Sequence, residues 1–118
     1  NREHFVAIQI ETLGALEDAD AIAAIDGVDL LFIGPADLSM ALGVVGQFHS
    51  DKLWEAIGRV AAACKHHGVG WGAVAPDAKF CDRAIELGCR MPTIGNEVGV
   101  FRRGIEWFQT SFANQFRK

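Results

Sequence analysis

An α/β fold of four successive βα units is predicted for this 118-residue chain, and three observations predict it. Short apolar runs of strand length alternate with longer amphipathic runs along the whole sequence. The run Val28–Ile33 is apolar nearly throughout, as in a strand of a parallel sheet covered by helices. Turn and cap residues separate the runs, among them Asp26-Gly27, Gly68 and Gly88.

The elements follow in order. Phe5–Ile10, with β-branched residues, reads as the first strand, and Thr12–Ile25, with Leu13, Leu16, Ala19 and Ala23 at helical spacing, as the first helix. Val28–Ile33 is the second strand. A longer connection, 34–50, contains Pro35 and three glycines. Asp51–His67 is a helix with Leu53, Ile57, Val60, Ala61 and Cys64 on one stripe, capped by Ser50 and closed by Gly68. Val69–Val74 is a glycine-rich third strand, Ala78–Leu87 a helix opened by Pro76-Asp77 and ended by Gly88, and Arg90–Ile94 the fourth strand. The last helix runs from Glu97 to about Asn114, with Phe101, Ile105, Phe108 and Phe112 as its packing stripe rather than a ligand box.

Repeated right-handed βα units imply a parallel sheet with helices outside it. Four units are half of a TIM-type (β/α)8 barrel, and a small open doubly wound sheet satisfies the same pattern. The half-barrel is preferred, because the candidate chemistry needs strand-end residues converging on one centre. The expected organisation is a single partial domain, 1–118, forming the C-terminal half of such a barrel.

Composition bounds the function. With 50% hydrophobic and 22% charged residues the chain is ordinary globular material, one domain at most. A net charge of −4 without a basic stripe argues against nucleic acid or an anionic membrane as partner. No apolar run is long enough to span a bilayer, and Asn1–Phe5 lacks the features of a signal peptide, so a cytoplasmic location is expected. Cys64, Cys81 and Cys89 lack C-x-x-C spacing and read as small apolar residues rather than zinc ligands or disulfides.

In a βα barrel the active site lies at the C-terminal strand ends. Here these carry Gln9-Ile10-Glu11-Thr12, Gly34-Pro35-Ala36-Asp37-Leu38-Ser39, Val74-Ala75-Pro76 and Gly95-Asn96-Glu97. Gln9 and Glu11 are two apart, so they share a side of the strand. Taken singly, Glu11 suits a structural salt bridge and Asp37 a helix N-cap. Together they end adjacent strands, ~4.8 Å apart, where both carboxylates can reach one ion. Two carboxylates without His or Cys ligands suit a hard cation such as magnesium or manganese. Backbone N–H groups near Ala36 and Asp37, at a helix start, can hold a substrate carboxylate.

The strand end Gln9-Ile10-Glu11-Thr12, the turn Asp26-Gly27-Val28-Asp29 and the loop Phe32-Ile33-Gly34-Pro35-Ala36-Asp37-Leu38-Ser39 closely resemble the class II pyruvate aldolases. These include 4-hydroxy-2-oxoheptanedioate and 2-keto-3-deoxyrhamnonate aldolases, in a superfamily with citrate lyase β subunits and phosphoenolpyruvate-binding barrels. The resemblance implies that Glu11 and Asp37 ligate a divalent cation (Mg2+, Mn2+ or Co2+) and that Gln9 touches substrate. It also implies that the backbone at Ala36 binds the pyruvate carboxylate, with Asp37 beside it, and that Val74 lines the pocket. No catalytic residue is assigned within the chain, since the family's base histidine, its orienting aspartate and its arginine belong to the earlier strands. His4, His49, His66 and His67 do not match that histidine; His66 and His67 end a helix at the opposite pole. The family's Val-Gly-Val-Asp near the last strand is replaced by Thr93-Ile94-Gly95-Asn96-Glu97, so that side of the pocket is not fixed by the resemblance.

The implied reaction is reversible, metal-dependent aldol cleavage of a 2-oxo acid to pyruvate and an aldehyde. Lys52, Lys65, Lys79 and Lys118 lie on or beside helices rather than at strand ends, which argues against a Schiff base. Two alternatives stand: a CoA-thioester lyase of the same superfamily, and a non-catalytic half-barrel that binds metal or assembles. The chain alone is expected to be inactive, and to form a homo-oligomer (hexamers occur in the family) or to dock on the missing barrel half.

Overall fold

The computed structural model describes residues 4–116. Its order is β1 (Ala7–Ile10), α1 (Leu13–Glu17), α2 (Ala19–Ala23), β2 (Leu30–Ile33), α3 (Pro35–Ala41), α4 (Asp51–His67), β3 (Gly70–Ala75), α5 (Ala78–Glu86), β4 (Met91–Ile94), α6 (Glu97–Ser111) and α7 (Ala113–Phe116). The four strands are parallel and stand in the order β1-β2-β3-β4. Right-handed crossovers between strands in sequential order place every connecting helix on one face of the sheet. A doubly wound sheet reverses its strand order and covers both faces. The architecture is therefore that of half a TIM-type barrel.

Side-chain burial shows the two faces. In register, Ile8, Leu31 and Trp71, then Ile10, Ile33 and Ala73, point toward the helices; of these only Ile8 is not fully buried. The alternate row Gln9, Phe32, Gly72 and Met91 faces away, and Gln9 and Met91 are exposed. This second face is uncovered. It is the face that lines the interior of a closed barrel.

Local chemistry accounts for the element ends. Ser50 caps α4 through Oγ, accepting from the Leu53 N–H, and Gly68 closes it at φ 71°, as the sequence predicts. The α4 stripe of Leu53, Ile57 and Val60 is fully buried, which contributes about 1.5–3 kcal/mol for each residue. Arg83 of α5 lies over the Trp54 ring at 4.2 Å, and Trp54 packs on Phe80, joining the two helices.

Two expectations are corrected, and the helix start expected near Ala36 and Asp37 is located. The first helix is not continuous: it breaks at Asp18, whose N–H bonds back to the carbonyls of Gly14 and Leu16. The 34–50 connection contains the helix α3, started by Pro35 at its first position. Phe101, Ile105, Phe108 and Phe112 do not join the core: all are exposed, among the described residues Phe108 and Phe112 stack only on each other and on Trp107, and α6 has no buried residue. The radius of gyration, 17.4 Å, exceeds the about 13.5 Å of a compact chain this long, because α6 stands away from the sheet. Among the described residues no helix is long and apolar enough to cross a membrane. Lys118 lies outside the described residues.

Candidate active site

The candidate site forms at the C-terminal ends of β1 and β2 on the uncovered face. Alternation in β1 sends Gln9 there, and Glu11 follows on the same side one residue past the strand end. The Gly34 N–H donates to the Ile10 carbonyl at 3.3 Å, extending the β1–β2 pairing just far enough to bring Gly34 under both side chains. Built onto Gly34, a β-carbon would lie 3.1 Å from Gln9 Nε2 and 3.3 Å from Glu11 Oε2. The missing side chain at position 34 is thus the floor of a cradle whose walls are an amide and a carboxylate.

Gly34 also caps α3, which makes Asp37 the third residue of that helix, in its first turn and exposed. The N–H groups of Ala36 and Asp37 have no acceptor within the helix, so they remain donors toward the strand-end side. The loop beyond is fixed rather than loose. Ser39, buried in full, donates through Oγ to the Ala36 carbonyl at 2.7 Å and accepts from the Gly46 N–H at 3.1 Å. Trp54 Nε1 donates to the Phe48 carbonyl at 2.9 Å, and Lys52 Nζ to the Leu42 carbonyl at 2.6 Å. Lys52 thereby serves the loop and is not a strand-end amine.

The donor set fits a hard divalent cation. Glu11, one residue past β1, and Asp37, in the first turn of the helix that follows β2, are both oxygen donors, and among the described residues neither is engaged in an ion pair. The cradle at Gly34 holds Glu11 Oε2 beside the Gln9 amide with no side chain between them. Magnesium and manganese accept such a pair and keep water or substrate oxygens at the remaining positions.

Val74, half-buried, follows Ala73, the register partner of Ile33, and so lies beside Gly34 on the same face; it pairs with Thr93. Phe32, the partner of Gln9, lies below in the same row. Phe32 and Thr93 were not singled out by sequence; their register with Gln9 and Val74 was the signal that could have found them. Asn96 has a structural duty: its Oδ1 accepts from the Gly99 N–H at 2.7 Å and caps α6.

His49 lies in the loop before α4, and its Nε2 meets Asp77 Oδ2 at 2.9 Å. Asp77 also caps α5, its Oδ1 accepting from the Phe80 N–H at 2.8 Å. That backbone bond and the His49 contact hold the Asp77 carboxyl below its ordinary value. The cysteines are apolar packing residues, as expected: burial pushes the Cys64 thiol up to about 11 and that of Cys89 upward as well. All three cysteines are free.

Comparison with known proteins identifies the family. The family model described as HpcH/HpaI aldolase/citrate lyase matches residues 1–104. A 5-keto-4-deoxy-D-glucarate aldolase of Escherichia fergusonii is 36% identical over 112 residues, covering 95% of this chain and 44% of that protein. The protein of that name from Klebsiella pneumoniae is 34% identical with the same coverage. An HpcH/HpaI aldolase/citrate lyase family protein from Burkholderia cenocepacia superposes with a TM-score of 0.83 at 32% identity, over 95% of this chain and 44% of that one. The HpcH/HpaI aldolase of Desulfitobacterium hafniense superposes at 0.78 with 34% identity, over 89% of this chain and 42% of that one. The chain spans less than half the length of the relatives it matches. With a family match over most of its residues, the chain belongs to the HpcH/HpaI aldolase/citrate lyase family.

Proposed function

We propose that this chain carries the cation- and pyruvate-holding half of the active site of a carbon–carbon lyase, one that cleaves a 2-oxo acid reversibly to pyruvate and an aldehyde. The observation that carries the reading is the cradle at Gly34, which sets Gln9 and Glu11 against the head of the loop that bears Asp37. Glu11 and Asp37 hold the divalent cation. When bound, the cation supplies a positive charge to the keto oxygen as the carbon–carbon bond breaks. The N–H groups at Ala36 and Asp37 receive the substrate carboxylate, Gln9 donates to substrate through Nε2, and Val74 with Phe32 excludes water from one wall. The similarity to 5-keto-4-deoxy-D-glucarate aldolases supports a keto-deoxy sugar acid as substrate.

In this reading the uncovered sheet face is closed by further βα units carrying the proton-transferring groups, since the matched relatives are more than twice as long as the match. The apolar face of α6 is covered by a second copy of the chain, in keeping with its exposure and its distance from the sheet.

The test is direct. Manganese binding, followed by calorimetry, is expected for the chain and should fall at least 10-fold in Glu11→Gln and in Asp37→Asn. Pyruvate release from 2-oxo acids is expected only once the remaining barrel units are supplied. Robust turnover by the chain alone defeats the division of labour; undiminished manganese binding in both variants defeats the cation assignment. The family description also embraces citrate lyase, so CoA thioesters are the competing substrates. Turnover of these, and not of free 2-oxo acids, would move the assignment to that class. Metal binding without turnover in the completed barrel would leave a binding or assembly module.

A further inference from the structure

We propose that Asp20, His66 and His67 form a second metal site, for a borderline transition ion such as zinc, at the opposite pole of the sheet from Glu11 and Asp37. The helix α4 runs back against the strand direction, so its last turn lies at the N-terminal end of the sheet. There His66 and His67 meet Asp20 of α2, which comes from a segment 46 and 47 residues away.

The geometry is that of a ligand set. His67 Nε2 lies 3.0 Å and His66 Nδ1 3.5 Å from the same Asp20 oxygen, and all three ligand atoms fall within 4.8 Å of one another. A tetrahedral zinc with bonds of about 2.0–2.1 Å holds its ligand atoms about 3.3–3.4 Å apart. The two spacings to Asp20 bracket that value, and the two nitrogens, within 4.8 Å of each other, reach it by small side-chain rotations. The nitrogens that face Asp20 are also those that would bind the ion, so the ion takes the place of a shared hydrogen and no side chain has to turn over.

The surroundings agree. His67 is half-buried and set by α4, which is anchored along its length by the core, so one ligand is preorganised. The two imidazoles, with ring centroids 4.5 Å apart, both turn a nitrogen toward the same Asp20 oxygen. The cluster borders an open cleft of about 420 Å3, lined also by Leu16, Glu17 and Arg59, which leaves the fourth position to water. Two imidazoles and one carboxylate select zinc, nickel or copper over magnesium, whereas the all-oxygen pair at the other pole selects the reverse. An ion here ties α2 to α4, the two helices that cover β1 and β2 from outside, and it acts as a stability clamp remote from the chemistry.

The probes are zinc and cobalt(II) salts added to the Glu11→Gln/Asp37→Asn chain, in which the other cation pair is disabled. One zinc per chain is expected, with Tm raised by roughly 10 °C at a hundredfold excess over Kd. Cobalt(II) should give the intense visible bands of a four- or five-coordinate ion. Adding His67→Ala should weaken zinc binding at least 100-fold and remove the Tm rise, with Asp20→Asn and His66→Ala acting in the same direction. His66 and Asp20 are exposed, so these latter variants keep the fold, and circular dichroism verifies it. A zinc-induced Tm rise that survives unchanged in His67→Ala and Asp20→Asn overturns the proposal. So does a cobalt spectrum no stronger than that of the aqueous ion.

Discussion

Gln9 and Gly34 touch in a way that explains the glycine: the Nε2 of Gln9 lies 3.1 Å from the point where a β-carbon at Gly34 would begin. The backbone at Gly34, with φ −92° and ψ 90°, is open to any residue, so space rather than torsion excludes a side chain. Gly34→Ala should therefore fold, with Tm close to that of the parent, while Gln9 and Glu11 are displaced by a few tenths of an ångström. Manganese affinity is expected to fall about 10-fold, the scale on which groups around metal ligands act. A titration showing parental affinity in a well-folded Gly34→Ala would remove the cradle from the account of the site.

Asp77 joins two segments, capping α5 with one oxygen and meeting His49 with the other. Its folded-state pKa is depressed, so the carboxylate contributes stability at neutral pH that is lost as pH falls below the ordinary 3.8 through the folded value. Asp77→Ala should cost about 1 kcal/mol at pH 7, the usual worth of a cap. The difference from the parent should narrow below pH 3.8. His49→Ala, which leaves the cap in place, should cost less. Urea denaturation of the three proteins across pH checks the ordering, and a gap between Asp77→Ala and parent that widens in acid contradicts it.

What could be read from sequence was local or periodic. The ends of α4 follow from Ser50 and Gly68, a few atoms from the backbone groups they satisfy. The shared side of Gln9 and Glu11 follows from strand alternation. The break at Asp18 escaped, because the residues around it are good helix formers and only the carbonyls that its N–H reaches distinguish it. Ser39 escaped because its partners, Ala36 and Gly46, become neighbours only once the loop is folded. The meeting of Asp20 with His66 and His67 depends on how α2 packs against α4, which no spacing reveals. Phe101 and Phe108 carry an apolar stripe at helical spacing, but among the described residues no part of the core covers it.

That uncovered stripe has a consequence. Phe101 and Phe108, 73% and 57% exposed, make no core contact in the chain, so replacing them with lysine should cost the isolated fold almost nothing. If α6 rests on a second copy, Phe101→Lys/Phe108→Lys should shift the assembly toward smaller species while circular dichroism is unchanged. Light scattering coupled to size exclusion reads this out. An assembly of parental mass in the double variant would rule out α6 as the contact.

Gly72 sets how closely β3 can approach its neighbours. A β-carbon there would lie 2.6 Å from the Met91 carbonyl oxygen and 2.9 Å from Phe32 Cδ2. The first of these is backbone in the paired strand β4 and cannot swing aside, unlike the flexible side chains at Gly34. Relief requires β4 to move, which weakens the pairing of Gly72 with Met91 and displaces Phe32 from its place beside Gln9. Gly72→Ala should thus cost about 3 kcal/mol or more, the upper range for overpacking. Gly58→Ala, in α4 with nothing within 4 Å of the new methyl, should instead stabilise by about 0.5–1 kcal/mol through helix propensity. Thermal melts of the two variants should move in opposite directions from the parent. Equal shifts of the same sign would show that the sheet yields at Gly72, and that the wall formed by Phe32 is softer than its register implies.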